Sequence, residues 1–134
     1  MIIPRLPLCS GAVLFIAIAV LHADPAGVSS IVKERDAVLS KIVADLEERH
    51  RVGGLDEEAV FVARLKLHSF RRDAAETAGD KIQQQECIVA LYEKRLSGIK
   101  ARPGVDNVDV LRATDALLEA RQVLESLRSG AKVG

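Results

Sequence analysis

From Val28 to Leu127 the apolar residues recur every three or four positions, and no stretch alternates apolar with polar. A period near 3.6 places those side chains on one face of an α-helix, whereas a half-buried strand needs a period of two. The chain can therefore bury its apolar surface only as packed helices. Four stripes carry the pattern. The first is Val28, Val32, Leu39, Ile42 and Leu46, widened by Ile31, Val38 and Val43. The second is Val60, Ala63, Leu67, Phe70 and Ala74. The third is Ile82, Val89, Tyr92, Leu96 and Ile99, and the fourth is Val110, Ala113, Leu117, Ala120, Leu124 and Leu127. Each is a three-four seam of the kind that packs helices at shallow angles.

Turn chemistry sets the boundaries. Gly53 and Gly54 end the first helix, and Asp56 caps the second, with Glu57 and Glu58 in its first turn. Pro103 and Gly104 end the third, and Asp106 caps the fourth. Asp80 is expected to start the third helix, with Gln83 completing a capping box. The join at Thr77, Ala78 and Gly79 is weak, since a glycine inside a helix costs only about 1 kcal/mol. The expected fold is therefore all-α: two antiparallel helical hairpins of up to four helices with coiled-coil-like packing, helices two and three being separate or one bent helix.

The chain also matches itself at an offset of 50. Leu46 meets Leu96, Gly54 meets Gly104, Asp56 meets Asp106, Val60 meets Val110, Ala63 meets Ala113, Leu67 meets Leu117 and Arg71 meets Arg121. Fifty is not a multiple of seven, so a free-running heptad does not produce this register. Two repeats, about 28–77 and 78–129, are expected within one helical domain. Two unrelated amphipathic hairpins would share part of this pattern.

The repeated unit is a helix, a turn containing glycine, and a second helix. It reads GVDNVDVLRATDALLEA at 104–120 and, more loosely, GLDEEAVFVARLKL at 54–67. It resembles the helical-hairpin tips of the outer-membrane efflux protein family, trimeric export channels whose periplasmic tunnel is a ring of antiparallel coiled coils. In that family the tip turns meet the hairpins of a periplasmic adaptor protein, and the subunit is an internal duplication. The resemblance is confined to the hairpin part, since this chain lacks the alternating pattern of an outer-membrane barrel. It implies that Gly54, Asp56, Gly104 and Asp106 sit at contact tips. Ordinary helix caps require the same residue types.

The first 23 residues are read as an export leader. Arg5 is the only charge before Asp24, residues 11–21 (GAVLFIAIAVL) are apolar, and Ala23 stands at the expected break, with Ala26 as second choice. The other reading is an uncleaved membrane anchor, because residues 6–23 are uncharged and at the lower edge of a spanning length. The domain is then 24–134, periplasmic or secreted. Removing the leader leaves a net charge of −1 and one cysteine, Cys87, so no internal disulfide is expected.

Charge balance and composition narrow the function. The 19 basic and 19 acidic side chains form no basic stripe, which argues against nucleic acid as partner. Aromatic residues are 3%, with no Trp, too few for a stacking platform. His50 and His68 fall about 16 Å apart along the first hairpin by helix rise, so they share no metal site. Glu57 and Glu58 can approach His50, with Arg49 and Arg51 competing for them. Cys87 lies about 150° from its helix's apolar face and is expected to be fairly exposed, with no base beside it for nucleophilic catalysis. Arg35 falls inside the first stripe, at the place the repeat gives to Gln85, and is expected to pair with Asp73.

A second apolar patch is the most informative feature. Phe61 and Leu65 lie well off the seam of helix two, and Leu111 and Leu118 occupy the matching place on helix four. Either the hairpins pack on each other through them, or they contact a partner. The expected function is non-enzymatic: an exported helical protein-interaction or structural module of the cell envelope, binding another envelope protein or itself, with no cofactor. Membrane contact would come only through an uncleaved N-terminus. The alternative is an envelope metal- or stress-responsive helical chaperone or sensor, which a zinc, copper and nickel titration of wild type against His50→Ala would separate.

Overall fold

The computed structural model of the protein describes residues 25–133, so the leader assigned to residues 1–23 lies outside the described residues. These contain four helices and no strand: α1 Pro25–Arg51, α2 Glu57–Ala74, α3 Ala78–Lys100 and α4 Asn107–Val133. The chain falls into two compact units, 1–35 and 36–134. Of the first, the described part is the opening of α1; the second holds the rest of α1 and the other three helices.

α2 and α3 are separate helices. Ala75 has extended backbone (φ −66°, ψ 136°), and so has Thr77 (φ −102°, ψ 149°). Thr77 caps α3, its hydroxyl oxygen accepting from the Asp80 N–H at 3.1 Å. The cap therefore lies three residues before the expected one. Asp80 falls in the first turn of α3, where its charge opposes the positive helix end. The physical reason is that threonine satisfies an orphan N–H as aspartate does, and its extended backbone breaks the helix at the join.

The core lies between α3 and α4. Ile88, Val89 and Leu96 pack against Ala113, Leu117, Ala120 and Leu124, all buried, and Ile82, Tyr92, Ile99 and Val110 close its margins. Alanines at 113 and 120 let the two backbones approach, and the leucines fill the remaining layers. α2 packs on the other side of α3, and its Leu65 reaches the same cluster. Ion pairs flank the α3–α4 seam, Arg121 to Glu93 at 2.8 Å and Arg128 to Glu86 at 3.0 Å.

One polar side chain sits in this interior. Gln85 is 1% exposed. Its amide donates to the Ala120 carbonyl at 2.9 Å, and its oxygen accepts from Arg72 Nη1 at 2.7 Å. One side chain of α3 thus joins α2 and α4, and both of its polar ends are satisfied.

α1 and α2 are held together differently. Leu39 is the buried residue of α1, opposite a helix that buries Val60, Phe61 and Leu67. Val43 and Leu46 of α1 are half-buried, and ion pairs also cross this hairpin. Arg71 grips Asp36 through two nitrogens at 2.6 and 3.0 Å and also donates to Ser40. Arg64 meets Glu47 at 2.6 Å. Asp73, expected to pair with Arg35, accepts from Arg72 of its own helix. The neighbouring pair, Asp36 with Arg71, spans the hairpin, Asp36 being on the side of α1 turned toward α2.

Candidate functional site

The two hairpin turns lie at one end of the molecule, as three consecutive antiparallel connections require. Each is built around a left-handed glycine. Gly53 has φ +80°, and its N–H donates to the His50 carbonyl while that of Gly54 donates to Arg49. This pair of bonds is a Schellman closure, in which the left-handed residue follows the cap and carries no Cβ penalty as glycine. In the second turn the left-handed residue is Gly104, φ +68°. The offset of 50 pairs Gly104 with Gly54, yet the left-handed partner in the first turn is Gly53. The caps do coincide. Asp56 accepts from the Glu58 N–H at 3.4 Å, and Asp106 from the Val108 N–H at 3.0 Å. The expected tip residues Gly54, Asp56, Gly104 and Asp106 are all exposed.

Beside these turns α1, α2 and α3 enclose a cleft of about 180 Å³. Val60, Phe61 and Leu91 supply its apolar lining, and behind it Phe61 of α2 meets Tyr92 of α3 edge-on, centroids 5.4 Å apart at 68°. The Arg95 guanidinium carbon lies 4.6 Å from the Phe61 ring centroid, a cation–π contact that joins the two helices. Arg95 Nη2 donates to Glu58 at 2.8 Å, and its Nε is buried without a hydrogen-bond partner among the described residues. His50, Glu57, Glu58, Arg64, Lys94 and Arg102 complete the rim.

The structure thus brings His50, Glu57 and Glu58 to one cleft, as the turn geometry suggested. His50 Nδ1 lies 2.9 Å from the Leu55 carbonyl, so the ring in its Nδ1–H tautomer donates there and ties the turn to the helix end. His68 Nδ1 is 2.9 Å from the Gln84 side-chain oxygen of α3. Among the described residues no three His, Cys, Asp or Glu side chains converge as metal ligands. The cleft can hold a small group that spans an apolar floor and a rim of both charges. Much of that rim is neutralised internally, by Arg95 on Glu58 and Arg64 on Glu47.

Asp36, opposite Arg71, is a carboxylate with a lowered pKa, as is Glu48 beside Arg51. The hydrogen bonds from Arg71 hold the Asp36 pKa below the ordinary 3.8, partial burial opposes this, and Ser40 adds to the lowering. Cys87 is half-buried rather than fairly exposed. It stands one turn from Gln84, which meets His68 of α2, so the neighbouring helix shades it.

The second apolar patch divides. Phe61 is buried against Tyr92, and Leu65 packs on the α3–α4 core, so both serve packing within the chain. Leu111 and Leu118 are 58% and 56% exposed. Phe61 and Leu111, which match at the offset of 50, have different surroundings because α2 is covered by α3 on this side, whereas no later described helix covers α4. Sequence reasoning did not single out the cleft. Its signal was the Phe61–Tyr92 pair, two of the few aromatic residues, each followed by an arginine three positions later, Arg64 and Arg95. Compared with protein-family models, with curated proteins and with solved structures, the chain matches none.

Proposed function

We propose that this chain is an exported, non-enzymatic helical protein of the cell envelope that binds another envelope protein or a further copy of itself. The observation that carries the reading is a row on α4 turned away from the core: Val108, Leu111 and Leu118, exposed to 47%, 58% and 56%. By the helix's step of about 100° per residue, this row is about 160° from the buried face of α4. A helix with apolar residues on two opposite faces needs two partners, and one is already supplied by α3. The leader pattern of residues 1–23 supports export. The exposed turns with Gly54, Asp56, Gly104 and Asp106 are a second contact region under the same proposal.

Photocrosslinking in the cells that make the protein tests this. A photoreactive residue at 118 should give discrete adducts in the envelope fraction, and the same residue at exposed Lys66 of α2 should not. Equal labelling from both positions, or recovery of the chain in the cytosol with residues 1–23 attached, would overturn the reading.

A further inference from the structure

The cleft between α1, α2 and α3 combines an apolar lining with charge that the chain does not neutralise. Its cations are Arg64, Lys94, Arg95 and Arg102, and its carboxylates are Glu47, Glu57 and Glu58. Four against three leaves one positive charge, His50 aside. The pairing within the cleft shows where that charge sits. Arg64 meets Glu47 at 2.6 Å, and Arg95 meets Glu58 at 2.8 Å while its guanidinium lies over Phe61. Lys94 and Arg102 make no ion pair among the described residues. Glu57, likewise without an ion pair, stands in the first turn of α2, where the positive helix end holds its charge.

The wall that α3 contributes has a gap in it. Leu91, Lys94, Arg95 and Gly98 lie three and four residues apart on one face of α3, and Arg102 follows in the turn. Glycine is a poorer helix former than alanine, and neither backbone nor neighbours demand it at 98. Its φ is not positive, and nothing stands within 4 Å of where a Cβ would project. The space a side chain would take is left to the cleft, on the helix face that carries Lys94 and ahead of Arg102.

A cavity of about 150 Å³ is large enough for a benzene ring. The 180 Å³ of this cleft therefore admits one ring and a short polar group. A ring against Val60, Phe61 and Leu91 takes those side chains out of water, and an anion beside Gly98 accepts charge-assisted hydrogen bonds from Lys94 and Arg102. A cationic ligand would meet the same two side chains with repulsion, and a neutral one would leave them unanswered.

We propose that the cleft binds a small aromatic monocarboxylate, its ring against Val60, Phe61 and Leu91 and its carboxylate over Gly98, held by Lys94 and Arg102. The site shares no residue with the row on α4 and goes beyond the interaction reading; either stands without the other.

Titration of protein expressed from the full sequence with phenylacetate, followed residue by residue by NMR, tests the proposal. Saturable shifts confined to the cleft are expected, with a Kd on the order of 1 mM for a ligand of this size. Benzyl alcohol lacks the charge, acetate lacks the ring and benzylamine has the opposite sign; each should bind about tenfold more weakly or worse. Gly98→Leu should abolish binding by filling the cleft, with helical circular dichroism retained because the Cβ position is open. Gly98→Ala fills less of the same space and should weaken binding without abolishing it. Lys94→Gln and Arg102→Gln should each weaken phenylacetate about three- to tenfold and leave benzyl alcohol unchanged. Lys66→Gln, on the exposed surface of α2, should change neither. The proposal fails if phenylacetate does not saturate, or if it binds the G98L protein as tightly as wild type. Benzyl alcohol matching phenylacetate, or shifts spread evenly over the surface, would overturn it as well.

Discussion

The α3–α4 and α1–α2 hairpins look alike in sequence and are held together by different forces. Between α3 and α4 seven buried apolar residues interlock, and ion pairs merely flank them. Between α1 and α2, α1 contributes one fully buried apolar residue, Leu39, with Val43 and Leu46 half-buried, and carboxylate–guanidinium pairs add to the grip. Burying a large apolar side chain stabilises by about 1.5–3 kcal/mol, and a solvent-exposed ion pair by about 0–1 kcal/mol. The α3–α4 hairpin should therefore set the stability of the fold, and α1 should be the first helix to loosen. A duplicated pattern need not mean duplicated energetics: what decides is how many of the patterned residues meet a neighbour.

The largest effect should come from cutting the two seams in the same way. Leu117→Ala leaves a cavity in the α3–α4 core and should cost about 4 kcal/mol, unfolding the domain as one transition. Leu39→Ala should cost about 2 kcal/mol, because α1 can shift toward α2 and fill the gap. Hydrogen exchange under native conditions should then show α1 amides freed well before those of α3. Equal costs, or simultaneous exchange of α1 and α3, would break the comparison.

A sharper version concerns the polar residue inside the stronger region. Gln85→Leu keeps volume but removes both hydrogen bonds, leaving the Arg72 nitrogen without its acceptor and the Ala120 carbonyl without its side-chain donor. The expected loss is about 1–3 kcal/mol by denaturant titration, above the effect of changing an exposed glutamine such as Gln122. An unchanged midpoint would mean that α2 is attached to α3 and α4 by apolar contact alone.

Much of this was legible in the sequence, because helix type depends on the spacing of neighbours along the chain. The four stripes mark the four helices, and Asp56 and Asp106 cap where their residue type and position say they should. The α2–α3 break was harder to read, since Thr77 and Asp80 offer rival caps and only backbone geometry chooses between them. Gly53 and Gly54 posed the same problem: either can turn left-handed, and the closing hydrogen bonds select Gly53. What a sequence read in one dimension conceals is which face of an amphipathic helix finds a neighbour. Phe61, Leu65, Leu111 and Leu118 are equivalent by spacing, and two pack inside while two face solvent. The role of Gln85 was hidden for the same reason, because its two partners lie on helices 13 and 35 residues away.

The smallest effect is also the most specific to the ionic hairpin. Asp36 has its pKa lowered by Arg71, so the folded state holds this carboxylate ionised at pH values where the unfolded chain begins to protonate it. The sign follows: the pair stabilises above the ordinary carboxylate value and loses its contribution as pH falls through the lowered one. Both side chains are 36% exposed, so screening limits the contribution to about 0.5–1 kcal/mol at neutral pH. Asp36→Asn should therefore be less stable than wild type by that amount at pH 7, with the difference shrinking as pH falls below the ordinary carboxylate value and lost as it passes through the lowered one. High salt at neutral pH should shrink it as well, while the Leu117→Ala cost stays. A difference that persisted once acid has protonated the carboxylate would mean that Asp36 acts through packing rather than charge, and the two hairpins would be less unlike than their contacts indicate.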